Sequence, residues 1–264
     1  MVSENIESFW QNICEEAHLA SAEEPTLSSF YHATILNHSS FVQAISFHLG
    51  NKLSTQAVPA MQWCELFETC LQADSNISES MRLDAEAYRD RDPACDKLSL
   101  PFLYFKGYHA LQAYRLSHWL WQQGRRVLAL YLQNQISQTF SVDIHPAATI
   151  GSGIMIDHAT GVVIGETVVI ENNVSMLHAV TLGGTGCTQG DRHPKIRCGV
   201  LISAGAKILG NIEVGEGAKV GAGSVVLNSV AAHTTVAGVP AKMVGVPKVT
   251  LPALDMDHQL LGDT

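Results

Sequence analysis

Asp143 precedes His158 by fifteen residues, close to one turn of a coil that would return His158 near Asp143, and Asp157 directly precedes His158, within the stretch DIHPAATIGSGIMIDHATGVVIG. A carboxylate beside an imidazole fixes its tautomer and stabilises the cation formed on proton uptake. Such a pair equips a general base that deprotonates a hydroxyl or an amine. Further on, TLGGTGCTQGDRHPK carries Arg192 next to His193, a permanent cation beside a group that gives or takes a proton near neutral pH. His178 follows His158 by twenty residues and can share its cleft without being catalytic. The imidazoles at 158, 178 and 193 also admit a zinc alternative, because zinc takes His₃ plus water. Asp143 would then act behind the ligands, and the spacing lacks a compact final His pair. Our expectation is no metal. Cys187 and Cys198 have no base in their local pattern and read as incidental, and Lys195 reads as facing water.

The elements that hold these groups leave their own trace. Ile144, Ile150, Ile156, Val162, Val168, Val174 and Val180 recur every six residues, and the beat resumes at Ile196, Ile202, Ile208, Val214, Val220 and Val226. Six residues turn an α-helix by about 600°, which would scatter these aliphatics around its surface. A solenoid of short strands and tight turns accounts for them, three hexads making a triangular coil of about eighteen residues. The sixteen residues from Val180 to Ile196 do not fit the beat, so a loop leaves the coil there, carrying Arg192 and His193. His145, followed by Pro146, reads as a structural residue at the start of the coils.

Before residue 140 the pattern is helical. Ile6, Phe9, Trp10, Ile13 and Ala17 recur every three or four positions until Glu24-Pro25-Thr26 interrupts them. A second period runs through SSFYHATILNHSSFVQAISFHLG and ends at Gly50, a residue type that favours helix C-termini. VPAMQWCELFETCLQA and residues 105–123 predict further helices, and RDRDPACDKLSLP a break. Tyr108, Leu111, Tyr114, Arg115 and Trp119 form a stripe read as helix packing. Asp92, inside the break, reads on its own as an exposed turn residue.

Bulk properties narrow the classes. A chain of 264 residues with 46% apolar and 16% charged side chains is a packed protein, and a net charge of -9 gives no general case for nucleic acid. Six cysteines without a CxxC pair fit a reduced, cytoplasmic setting. MVSENIESFW is not a signal peptide, and no run approaches the ~18 apolar residues of a membrane span.

The six-residue beat resembles the left-handed parallel β-helix of hexapeptide-repeat acyltransferases. With the helical first half, DIHPAATIG, MIDHATGVVIGE, LHAVTLGGTG, GDRHPK and VAGVPAKMVG, nearly the whole chain resembles the serine O-acetyltransferase family. The resemblance implies an α+β fold: a helical domain over 1–140, a left-handed β-helix with a projecting loop over 141–245, and a tail over 246–264. It implies acetyl transfer from acetyl-CoA to the hydroxyl of L-serine, without a covalent acetyl-enzyme. His158 would be the base and Asp143 its orienting carboxylate. Asp92 and Asp157 would receive the ammonium, Arg192 the carboxylate, and His193 the carboxylate or hydroxyl end. A backbone amide near Gly184 would meet the oxyanion. Ala204 and Ala222 would admit the pantetheine arm, while Lys219 and Lys242 would face the phosphates. The family also implies a hexamer built from two trimers and inhibition by L-cysteine at the serine site. Its tail usually ends in isoleucine, which docks into O-acetylserine sulfhydrylase. Here the last residue is Thr264, so weak or absent docking is expected. Two alternatives stay open: a hexapeptide acyltransferase for another hydroxyl or amine, and a trimeric scaffold without activity.

Overall fold

The structure is a computed structural model and describes residues 5–186 and 189–260. Cys187 and Thr264 lie outside the described residues. The first half is helical: α1 (Ile6–Glu23), a 3₁₀ turn, α2 (Ser28–Tyr31), a π turn, α3 (Phe41–Leu53), α4 (Ala60–Ala73), α5 (Ser75–Arg91), α6 (Ser99–Tyr104), α7 (Lys106–Gln122) and α8 (Arg126–Phe140). Asn5 caps α1 by accepting from the amides of Glu7 and Ser8 at 3.1 and 2.9 Å. The helical period expected to end at Gly50 instead breaks at 37–40 and runs on to Leu53. Gly50 serves packing: a Cβ there would lie 2.6 Å from Cys64 Sγ on α4.

Fifteen short strands follow among the described residues, wound into a prism with three faces. The first face stacks β1 (Val142–Ile144), β4 (Val162–Ile164), β7 (Thr181–Gly183), β10 (Lys207–Leu209) and β13 (Val225–Val226). The second stacks β2 (Thr149–Ile150), β5 (Val169–Ile170), β8 (Lys195–Ile196) and β11 (Glu213–Val214). The third stacks β3 (Met155–Ile156), β6 (Ser175–Met176), β9 (Leu201–Ile202), β12 (Lys219–Val220), β14 (Thr235–Gly238) and β15 (Ala241–Gly245). All pairings are parallel except the final β14–β15 hairpin. A tail with one short helix, α9 (Pro252–Asp255), lies back over the third face.

The register corrects the beat. Ile144 pairs with Ile164, not Val162, so the first turn of the solenoid is twenty residues, whereas Leu201 and Lys219 are eighteen apart. The two extra residues sit in the β3–β4 corner, where His158 and Ala159 take φ of 55° and 58°. The aliphatic beat hid this slip because Val162, Val168, Val174 and Val180 are themselves buried, two residues ahead of the paired Ile164, Ile170, Met176 and Leu182. The projecting loop adds eight residues more: Thr181 and Lys207 pair twenty-six apart, Lys207 and Val225 eighteen.

The first coil leaves strand edges that need partners, and the helical domain supplies them. Tyr88 Oη donates to the Ile156 carbonyl at 2.9 Å and accepts from the Ile156 amide at 3.1 Å. Asp84 accepts from the Ile154 amide at 2.9 Å, Arg115 donates to the Gly151 carbonyl at 2.9 Å, and Tyr114 donates to that of Ala148. Part of the stripe read as helix packing therefore caps a sheet edge. Asp84 itself is fully buried and paired with Arg115 at 2.5 Å, with Gln112 donating to the same oxygen at 3.1 Å. The chain ends of the first coil are thus anchored to α5 and α7 immediately beside Asp157 and His158.

Candidate active site

Pairing of β3 with β6, β9 and β12 carries beyond the strands into one corner of the prism. Two residues past the in-register Ile156, Met176, Ile202 and Val220 stand His158, His178, Ala204 and Ala222. Backbone bonds keep the corner stacked: the Gly205 amide donates to the His178 carbonyl at 3.0 Å and the Gly223 amide to that of Ala204 at 2.8 Å. The His158 and His178 rings meet edge to face, centroids 5.9 Å apart. His158 is 72% exposed, and the Asp157 carboxylate lies 3.4 Å from its Nε2. A non-glycine residue held at positive φ is uncommon and tends to mark functional positions.

Asp143, expected to orient His158, lies on the outer side of the first face and accepts from Gln133 Nε2 on α8 at 2.7 Å. The carboxylate that meets the imidazole in this arrangement is that of Asp157, because the two-residue insertion carries His158 out from the strand. Asp143 remains beside the corner, since the Ser141 carbonyl accepts from the Gly161 amide at 2.8 Å.

A cavity of about 340 Å³ brings Asp92, Asp157 and His158 together, with Tyr88, Phe105 and Lys106 among its walls. Asp92 ends α5 and its carboxylate accepts from the Ala94 amide at 2.9 Å, which fixes the turn into the cavity. The reading of Asp92 as a mere turn residue is corrected: it forms a turn and also lines the cavity. Gly107 lets α7 approach this closely, as a Cβ there would stand 2.0 Å from the Ile156 carbonyl oxygen.

Arg192 and His193 occupy a different corner, between β7 and β8, stacked on Gly165, Glu166 and Thr167. His193 Nδ1 accepts from the Thr167 amide at 3.2 Å and lies 2.8 Å from its hydroxyl. That acceptor role assigns the proton of the neutral ring to Nε2. Burial, then the Arg192 cation, holds His193 below the ordinary imidazole range. Arg192 donates to Glu166 at 2.7 Å, and this bond lowers the Glu166 carboxyl. Glu166 and Thr167 are the positioning residues sequence reading missed, because they act from the coil before the loop. The Gly184 Cβ position lies 3.5 Å from His193 Nε2, so Gly184 belongs to this corner too. The imidazoles at 158, 178 and 193 therefore do not converge within one chain. Among the described residues no group of three His, Cys, Asp or Glu side chains gathers as a metal site.

Of the residues expected along acetyl-CoA, Ala204 and Ala222 share the His158 corner. Lys242 is exposed on β15. Lys219 does not face outward for phosphates: it is 2% exposed, its ammonium donates to the Gln259 carbonyl, and Asp257 stands 3.4 Å away. The tail covers it, a contact that no local pattern announces. His145 bonds its own turn, its Nδ1 accepting from the Ala147 amide at 3.1 Å. Cys198 is a free thiol raised by burial.

Comparison with known proteins fits both halves of the molecule. The family profile "Serine acetyltransferase, N-terminal" matches residues 9–113, and "Bacterial transferase hexapeptide (six repeats)" matches residues 193–228. A serine acetyltransferase of Escherichia coli (strain K12) is 60% identical over 262 residues, covering 99% of this chain and 96% of the relative. The chain belongs to the serine acetyltransferase family. The solved serine acetyltransferase of Vibrio cholerae superposes with a TM-score of 0.96 at 59% identity, over 98% of this chain and 100% of that one. A serine acetyltransferase in complex with cysteine gives 0.95 at 54% identity, over 97% and 100%. Another in complex with CoA gives 0.88 at 56% identity, over 91% and 100%. No helix among the described residues is long and apolar enough to cross a membrane.

Proposed function

We propose that His158 is the general base of this chain's reaction and that serine lies in the cavity between α5 and the β3–β4 corner. The reaction is transfer of an acetyl group from acetyl-CoA to serine, producing O-acetylserine, the first step of cysteine biosynthesis. The observation that carries the assignment is the cavity itself, which gathers Asp92, Asp157 and His158 from segments sixty-five residues apart in sequence. Two carboxylates suit the substrate ammonium, and the exposed imidazole suits its hydroxyl. The hydroxyl oxygen attacks the thioester directly as its proton passes to His158. Base and nucleophile then share one pocket, which removes the entropic cost of a separate encounter. Asp157 orients the imidazole from 3.4 Å, and Asp143 is the second carboxylate of that corner.

Serine also has a carboxylate, for which Arg192 offers a planar fork and His193 an Nε2 proton. These stand on another edge of the prism. One small amino acid reaches both edges when a second copy of the chain presents its Arg192 edge to the first copy's His158 edge. A closed ring of three such contacts makes a trimer, and helical domains joining two trimers make the hexamer. L-cysteine, alike in its ammonium and carboxylate, fits the same anchors, in keeping with the cysteine complex of the relative. Ala204 and Ala222 leave room for the pantetheine arm along the corner, with Lys242 toward its far end and the Gly184 amide at the oxyanion.

The deciding experiment measures acetyl-CoA turnover with L-serine, L-homoserine and simple sugars for the wild type and His158→Ala. The expected result is a serine-dependent signal that collapses in the variant. Equal rates in both proteins would overturn the base, and preference for a sugar would overturn the acceptor.

A further inference from the structure

We propose that Lys106 is a positioning residue for the base, its ammonium closing through Thr160 the two-residue bulge that carries His158. The proposal rests on the reading of His158 as base. Counted forward from β3, His158 takes the corner place of His178, Ala204 and Ala222. Counted back from the following strand, Thr160 takes it. Val163, Thr181, Lys207 and Val225 are in register, and Thr160, His178, Ala204 and Ala222 each stand three residues before them. The next residues along, Gly161, Ala179, Gly205 and Gly223, all turn at positive φ. The Ala179 amide donates to the Thr160 carbonyl at 2.8 Å, as the Gly205 amide does to that of His178 at 3.0 Å. Thr160 therefore continues the regular stack, and His158 with Ala159 is the extruded pair.

An extruded pair needs outside support. His158 and Ala159 hold φ of 55° and 58°, a conformation that persists in non-glycine residues only where surrounding contacts over-determine it. The Thr160 amide donates to the His158 carbonyl at 2.7 Å, and the Thr160 hydroxyl lies 3.5 Å from the same oxygen. From outside the coil Lys106 reaches in, its ammonium donating to Thr160 Oγ1. Beside it, a Cβ on Gly107 would lie 3.1 Å from Ala159 Cβ, so the first turn of α7 abuts the extruded pair. Lys106 lines the cavity together with Asp92, Asp157 and His158, so its stem runs along the cavity wall from α7 to the bulge.

Helix chemistry gives no reason for a lysine here. Lys106 is the first residue of α7, where the macrodipole disfavours a cation and no side chain caps the amides. Its long side chain also loses rotamer freedom when tied to one acceptor. The bond to Thr160 offsets those costs, and what it secures is the place of the imidazole over the cavity. A general base works only within hydrogen-bond reach of the proton it takes. A bulge free to shift by about an ångström would lose rate. The anchors Asp92 and Arg192 would keep serine bound meanwhile, since both lie on other elements.

The test measures kcat and the KM for serine in wild type, Lys106→Met, Thr160→Val, Thr160→Ser, the Lys106→Met/Thr160→Val double variant and His158→Ala. Valine keeps the shape of threonine and removes the acceptor, whereas serine keeps the acceptor. Lys106→Met and Thr160→Val should each lower kcat about tenfold, short of the ~10²-fold that a one-ångström misplacement costs, with KM nearly unchanged. The double variant should be no slower than either single one, because both act through one bond. Thr160→Ser should recover most of the valine loss. A wild-type kcat in Lys106→Met or Thr160→Val overturns the proposal and leaves the base assignment standing, provided His158→Ala is inactive. Losses that multiply in the double variant overturn it too, since the two side chains would then act separately. Equal losses in Thr160→Val and Thr160→Ser would remove the bond from the explanation. A raised KM at constant kcat in Lys106→Met would make the lysine a substrate contact and overturn its positioning role. A wild-type kcat in His158→Ala overturns the base assignment and the proposal together.

Discussion

The two candidate corners are built from the same solenoid yet held in opposite ways. At the β3–β4 corner His158 is 72% exposed, its backbone sits at positive φ, and its nearest carboxylate is 3.4 Å away. At the β7–β8 corner His193 is 7% exposed, its Nδ1 is bound to Thr167, and Arg192 is bound to Glu166 at 2.7 Å. The first arrangement leaves a ring nitrogen accessible for proton transfer. The second gives up mobility to fix donors in place, which suits recognition of a constant group such as a carboxylate. Insertion length separates them: two added residues lift a side chain off the coil, and eight allow a loop to fold back on the preceding one.

Breaking the chemical corner should have the largest effect. His158→Ala is expected to lower kcat by roughly 10²–10⁴, the usual worth of a positioned general base. The KM for serine should change little, since Asp92, Asp157 and Arg192 keep their places. A drop confined to KM in the same assay would instead make His158 a binding residue.

The partnership of corners gives the next test. His158→Ala and Arg192→Ala subunits, each nearly inactive alone, should recover activity when unfolded and reassembled together. For random 1:1 mixing in a ring, about a quarter of sites receive both intact edges, so recovery near a quarter of wild type is expected. No recovery would mean both edges of a site come from one chain. Within the recognition corner, Arg192→Lys keeps the charge and loses the fork. The KM for serine should rise about tenfold to a hundredfold, the worth of a charge-assisted bond, while kcat holds.

How much of this contrast was legible in sequence follows from what is local. Asp157, His158, Arg192 and His193 were visible because short spacings and one interrupted beat pointed to them. The two-residue slip that lifts His158 was invisible, since Val162 and Ile164 are both apolar and either could mark the strand. Helix α5 escaped notice because SNISESMRLDAEAYRDR buries charged Arg82, Asp84 and Arg91 where an apolar stripe would be sought. Arg82 pairs within the helix with Glu79 and Glu86, while Asp84 and Arg91 are spent on partners distant in sequence: Arg91 reaches Ser175 at 3.0 Å. Asp92 required the family resemblance for the same reason. Lys219 was misjudged because the tail that covers it returns from forty residues away.

Docking of the helical domain sets Tyr88 and Gly107 directly against Ile156, next to the His158 corner, which offers a way to sharpen the comparison. Gly107→Ala would drive a Cβ to 2.0 Å from the Ile156 carbonyl oxygen and 2.9 Å from Tyr88 Oη. Relief requires α7 to withdraw from β3, at a cost of about 1–3 kcal/mol, or roughly 2–12 °C in melting temperature. Activity should fall with the displaced Asp157 and His158. Thermal melts and serine kinetics on one preparation check both, and an unshifted melt would mean the helical domain does not brace this corner.

The smallest effect concerns two other histidines, which never meet substrate. His48 and His109 pack edge to face in the helical core, centroids 4.9 Å apart, with His48 also stacked on Phe102. Burial first, then its neighbours His109 and Lys52, pushes His48 down to about 2. His109, which bonds the Phe102 carbonyl at 2.8 Å, is pushed by burial to about 3. In the unfolded chain both take protons near the ordinary imidazole value of about 6.5. The unfolded state therefore binds more protons below that pH, and the stability these neutral rings contribute is present above it and lost as pH falls toward the folded values. Denaturant midpoints should decline from pH 7 to pH 5, and His48→Phe should flatten that decline by removing one titrating ring. An unchanged slope in the variant would place the acid sensitivity elsewhere. The solenoid corners hold their imidazoles exposed or bonded at the surface, whereas the helical core holds them as buried, neutral aromatic rings.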